Sequence, residues 1–225
     1  RRTLEVGDVL VGIMLVIDTS AGTSVALFKN GQLVAEQNVV DNMKHAETIG
    51  SAIAEVLVDA GEKGSDVNQV VVGRGPAPFT GLRVGIAAAT MFAEGSGAQL
   101  AGVVSLDAIA LTALKSQQAS DSLPLLVTTD ARRSEVYWAL YSGLSEGGSP
   151  IRIEGPQVLK PAALEELLAA RDIKPLTTDA RITGSALGEL AEALRKDGQL
   201  ESDVTALYLR APDAVEGQFG KKVSG

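Results

Sequence analysis

Residues 14–27, MLVIDTSAGTSVAL, give the pattern from which the rest of the chain is read. A short apolar run from Met14 to Thr19 carries an acid, Asp18, at its end. A polar turn follows, and Thr23 to Lys29 reads as a second strand. Asn30-Gly31 is the strongest hairpin signal in the chain, because a type I′ turn needs positive φ at both positions, and Gln32 to Val40 returns from it. The same order recurs far downstream. Leu125 to Asp130 is a strand ending in an acid, a polar turn follows, and the next strand, Glu135 to Tyr141, carries Val136-Tyr137-Trp138-Ala139-Leu140.

The flanking segments extend both copies. In the first half, His45 to Ala60 has helical spacing closed by Gly61, and Val67 to Val72 reads as a buried strand. Thr80 is placed to cap a helix running to about Glu94; Leu100 to Val104 is a strand, and Ser105 can cap the helix after it. In the second half, Ile151 to Leu159 is the third strand, and Pro161 suits the first turn of a helix reaching Ala170. Arg181 to Gly184 reads as a short strand, with Ser185 capping a helix that ends near Gly198. A duplicated βββαβα unit with an acid after each first strand predicts an α/β fold of two ribonuclease-H-like lobes, the actin-like ATPase (ASKHA) architecture. The expected organisation is an extension at 1–13, a first lobe at 14–119, a smaller second lobe at 120–212 whose end could return to the first, and a loose tail at 213–225. Met14 reads as the natural start. Arg1-Arg2 before an apolar stretch imitates a signal peptide, but no small-residue cleavage pattern follows.

Composition narrows the function. The 225 residues are 45% hydrophobic and 21% charged, as in ordinary globular domains. With no cysteine, disulfide frameworks, thiolate zinc sites and cysteine nucleophiles are excluded, and the composition fits the expected cytoplasmic address without proving it. The net charge of -8 and the scattered basic residues argue against a stand-alone RNA binder. The longest apolar stretch, Val9 to Ile17, is far short of the ~20 residues that span a bilayer.

Four segments carry a family resemblance. MLVIDTSAGTSVAL, VGRGPAPFTGLRVG (72–85), DARRSEVYWALY (130–141) and Tyr208-Leu209-Arg210 resemble the TsaB (YeaZ) family of bacteria, covering nearly everything from Met14 to Pro212. The Pro-x-Pro-Phe-Thr-Gly-Leu-Arg segment is the most specific of these. The resemblance implies a non-catalytic partner in tRNA threonylcarbamoyladenosine synthesis. Such proteins bind TsaD, the related transferase, which is joined by the ATPase TsaE. It also implies a homodimer when alone, contact with tRNA only through the complex, and no cofactor.

The residues that could do chemistry are few. The related transferase holds its metal with a His-x-x-x-His pair; here His45 takes the first position and Ile49 the second, so no metal site is expected. Asp18 and Asp130 stand where actin-like kinases position the nucleotide's metal. Two readings remain open for them, a vestigial nucleotide site and acids that cap turns after core strands. Gly73-Arg74-Gly75-Pro76 lacks the lysine and hydroxyl of a P-loop. Gly81, Gly85, Ala88 and Phe92 share one helix face, and glycines inside a helix call for a compensating close approach. That approach is either internal, against the sheet, or between subunits. The resemblance favours a partner interface, with His45, Ile49, Ala52 and Val56 as the matching stripe on the first helix. The rival functions are a small-molecule kinase or ATPase of the same fold and a metallopeptidase.

Overall fold

The computed structural model describes residues 12–39, 45–116 and 123–210, without the side chain of His45. The expectations for the N-terminal extension and the tail therefore lie almost wholly outside the described residues. Strands β1 (Ile13–Asp18), β2 (Thr23–Lys29), β3 (Gln32–Val39), β4 (Val67–Gly73) and β5 (Gln99–Val103) form a sheet of order β3-β2-β1-β4-β5. β1 pairs antiparallel with β2 and parallel with β4. β1 is buried at every residue, as a central strand covered on both faces must be, and as far as Ile17 its sequence is accordingly a continuous apolar run. Asn30 and Gly31 both have positive φ, 51° and 76°, as the type I′ reading requires.

The second sheet repeats the plan at smaller scale. β6 (Leu125–Asp130), β7 (Val136–Leu144), β8 (Pro150–Leu159) and β9 (Leu176–Thr177) are ordered β8-β7-β6-β9. The fourth strand is thus at 176–177, parallel to β6, and the expected strand at 181–184 does not form. A two-residue strand presents no periodicity by which to find it.

Among the described residues, five α-helices layer the two sheets. α1 (His45–Ala60) and α2 (Phe79–Ser96) cover the outer face of the first sheet, while α4 (Pro161–Ala170) covers the outer face of the second around Trp138, Leu164 and Leu168. α3 (Ser105–Ser116) and α5 (Gly184–Lys196) lie between the sheets, and each packs on the sheet of the other half. The central core accordingly mixes Met14 and Val71 with Leu106, Tyr141 and Leu187. α2 starts one residue before the expected Thr80 cap and ends at Gly97, whose φ of 74° makes the left-handed stop. α5 is capped by Thr183, which accepts from the Ala186 amide at 3.1 Å, rather than by Ser185. After α5 the chain returns to the first sheet: Gly102 N–H donates to Glu201 O at 3.0 Å and Leu207 N–H to Arg74 O at 2.8 Å.

Candidate functional site

The two acids occupy equivalent turns. Ser20 N–H donates to Asp18 Oδ1 at 2.7 Å, and Arg132 N–H donates to Asp130 Oδ1 at 2.8 Å. Both are Asx turns two residues long, so the duplication extends down to a single hydrogen bond. Their environments then diverge. Asp18 is 1% exposed. The Ser20 hydroxyl lies 2.6 Å from its Oδ1, and Ser105 Oγ donates to its Oδ2 at 2.6 Å. Ser105, expected to cap α3, instead links the start of that helix to β1, and it also accepts from Gly75 N–H at 3.2 Å. A Cβ at Gly73 would fall 1.7 Å from Asp18 Oδ2, so β4 closes over the carboxylate only because it carries glycine there. Asp130, by contrast, is exposed and pairs with Arg132 at 3.6 Å.

The space between the turns is a cleft. One hollow of about 300 Å³ is bordered by Ala21, Asn38, Asp130 and Ile182, and a smaller one of about 220 Å³ by Ser20, Thr80, Asp130 and Arg132. The helix start facing it, α5, could in principle receive an anion on its first amides. Those amides are already engaged. Gly184 N–H donates to Asn38 Oδ1 at 3.3 Å, Ser185 N–H to Glu36 Oε1 at 2.6 Å, and Ala186 N–H to Thr183. Gly184 itself packs on β2, its Cβ position 2.7 Å from that of Ala26. No local sequence signal announces Glu36, Asn38, Gly73 or Ser105 in these roles, because each acts on a segment remote in the chain. Among the described residues no group of three or more His, Cys, Asp or Glu is arranged to hold a metal, and Ile49 is buried in the core.

The expected interface stripe is placed differently from its reading in sequence. Ile49, Ala52 and Val56 form the inward face of α1, packed on Leu15, Val25 and Val70. On α2 the buried residues are Leu82, Gly85, Ala89 and Ala93; Gly81, Ala88 and Phe92 flank them, half-buried. The close approach at Gly85 is internal: an added Cβ would stand 2.3 Å from Thr19 Oγ1, whose hydroxyl donates to Gly81 O at 2.8 Å. Helical spacing shows which residues lie side by side, but it does not say what lies opposite.

The outward faces have their own pattern. On α1, Ala46, Gly50, Ala54 and Val58 are exposed at intervals of four; on α2, Arg83, Ala87, Met91 and Gly95 are. Val58 and Met91 are 77% and 74% exposed, and a Cβ at Gly50 or Gly95 would meet nothing. Each exposed helical glycine costs roughly 1 kcal/mol relative to alanine, with no internal contact to require it. Two neighbouring ridges of small and apolar side chains are thus left open on one side of the molecule.

Comparison with known proteins agrees with this architecture. The family described as TsaD, tRNA N6-adenosine threonylcarbamoyltransferase, matches residues 39–204. An uncharacterised protein of Mycobacterium tuberculosis is 35% identical over 92% of this chain and 95% of its own length. The tRNA threonylcarbamoyladenosine biosynthesis protein TsaB of Escherichia coli is 34% identical over 68% of this chain and 64% of its own. The solved structure of YeaZ from Pseudomonas aeruginosa superposes with a TM-score of 0.70 at 26% identity, covering 88% of this chain and 100% of that one. The chain belongs to the TsaB (YeaZ) family of tRNA threonylcarbamoyladenosine biosynthesis proteins, built on the actin-like ATPase fold.

Proposed function

We propose that this protein is a non-catalytic subunit of the tRNA N6-threonylcarbamoyladenosine machinery that binds and activates a TsaD-type transferase. The observation that carries this reading is the contrast between the cleft and the outer helices. In the cleft, the carboxylate that would hold a nucleotide's metal is sealed under Gly73 and Ser105, and the helix amides that would meet phosphate are taken by Glu36 and Asn38. On the outside, Gly50, Ala54 and Val58 with Ala87, Met91 and Gly95 offer the low, apolar relief that lets a helix pair from another subunit approach closely.

This surface replaces the stripe expected from sequence as the proposed interface. A second copy occupies it when the protein is alone, and the transferase displaces that copy in the complex. A TsaE-type ATPase joins the assembly, tRNA is engaged within it, and the work is done in the cytoplasm. Reconstitution tests the reading: modification of tRNA by the purified transferase, ATPase and threonylcarbamoyl adenylate is expected to require this chain. Equal modification rates in its absence, or a modified product formed by this chain alone, would contradict it.

A further inference from the structure

A second recess lies beside the cleft, where three remote segments meet. It measures about 420 Å³, within the range of sites that enclose a small planar ligand. Its floor is apolar, made by Ala77, Ala131 and Tyr137, all at most 5% exposed. One wall is aromatic. Phe79 and Tyr208 stand with ring centroids 4.7 Å apart at 33°, and each remains more than a third exposed. Arg83 backs this wall, its guanidinium carbon 3.6 Å from the Phe79 centroid and its Nε donating to Tyr208 Oη at 2.9 Å. That arrangement fixes two rings that would otherwise rotate freely on the surface.

The rim is basic. Arg132 and Arg133 project from the β6–β7 turn, and Arg210 pairs with Glu135. With Arg83 these are four of the chain's eleven arginines, gathered in a molecule of net charge -8. The carboxylate partner of Arg132, Asp130, is itself 67% exposed, and so open a pair contributes little and yields readily to a stronger anion. The turn is also unusual in its backbone. Arg132, Arg133 and Ser134 all have positive φ, 62°, 56° and 58°, a conformation that L-residues other than glycine rarely adopt even singly. Here it presents two consecutive arginines on the same side as the aromatic wall.

An apolar floor, partly exposed aromatic rings and a rim of guanidinium groups together match one kind of ligand: a flat base joined to phosphates. We propose that this recess receives an unstacked nucleotide of single-stranded RNA, the base against Phe79 and Tyr208 and the adjoining phosphates on Arg132 and Arg133. The open rim suits a strand passing through better than a free nucleotide held on all sides. The proposal deepens the tRNA-modification reading, assigning to this subunit one contact with the RNA that the assembly modifies.

Fluorescence anisotropy with a short labelled single-stranded RNA, titrated against the full chain at low salt, tests it. Binding is expected to weaken by about tenfold or more in Phe79→Leu, because the base loses its stacking surface. The Arg132→Gln/Arg133→Gln variant, altered only at exposed positions, is expected to reduce the salt dependence of binding by about 1.4 in log–log slope, ~0.7 for each phosphate no longer neutralised. Duplex RNA of equal length, AMP and a peptide of Asp and Glu serve as competitors. Equal or better competition by the acidic peptide would assign the recess to a protein partner and overturn the proposal, as would an unchanged salt slope in the double variant or no RNA binding at all. Transferase capture is measured on the same variants. Loss of RNA binding with capture intact supports the recess as the RNA-binding surface. RNA binding that persists while the unaltered chain fails to capture transferase leaves the recess standing and removes the scaffold reading.

Discussion

The Cβ position of Gly85 lies 2.3 Å from Thr19 Oγ1, so α2 is seated on the β1–β2 turn with no room for a methyl group. Replacing Gly85 by alanine overpacks this junction, at a cost of about 1–3 kcal/mol. Thr19→Ala removes the two nearest obstructing atoms, and the double variant is expected to be more stable than the sum of the two single losses predicts. Thermal melts measure the coupling, and light scattering is expected to show an unchanged oligomeric state. A Gly85→Ala protein that melts like the unaltered chain but changes its assembly would place the contact between subunits instead.

Asp18 is expected to act as a structural link. Its carboxylate accepts from the Ser20 amide and from the Ser105 hydroxyl, both in a site that water barely reaches. Asp18→Ala leaves these donors unsatisfied, which costs about 1–3 kcal/mol for each buried group. Urea unfolding is expected to show that loss, while calorimetry with ATP gives the same weak or absent binding for both proteins. A tight ATP site present in the unaltered chain and abolished by Asp18→Ala would restore the kinase reading.

A third prediction concerns pH. Asp107 is buried, accepts from Tyr141 Oη at 2.7 Å and pairs with Arg152 at 2.9 Å. Burial, the largest influence, raises its pKa above the usual 3.8 despite the opposing pull of Arg152 and Tyr141. The folded protein therefore holds this proton at pH values where the unfolded chain has released it. Stability from this group is fully present below pH 3.8 and is lost as pH rises through the elevated folded value. In urea titrations across that window, the unaltered chain is expected to lose stability relative to Asp107→Asn, and the difference is expected to level off above it. A relative gain with rising pH would show the opposite shift.

The parts of the fold legible in sequence are those with local signatures. The repeated acid-turn-strand unit, the Asn30-Gly31 hairpin and the Pro161 helix start each depend on neighbours within a few residues, and the structure has all three. Relations between distant segments are not legible in the same way. Gly85 announces a close approach, but only the fold shows Thr19 opposite it. Phe79 and Tyr208 stack although more than half the chain's length separates them, and neither residue type nor spacing hints at the pair. The outer ridges escape a sequence reading for a different reason. The apolar stripe of α1 looks like a partner surface, although a stripe on a helix covering a sheet is first needed for the core. The small residues on the opposite side carry the stronger signal.

The proposed interface on the outer ridges is the claim on which the functional account rests, and the affinity of this chain for its organism's TsaD-type transferase tests it most directly. Val58 and Met91 are more than 70% exposed, so aspartate at either position leaves the fold and its melting temperature nearly unchanged. In isothermal titration calorimetry, Val58→Asp and Met91→Asp are each expected to weaken binding to the transferase at least tenfold, about 1.4 kcal/mol. Light scattering on the same variants is expected to show loss of the homodimer. Full affinity for the transferase in both variants, with folding intact, would contradict the proposed interface.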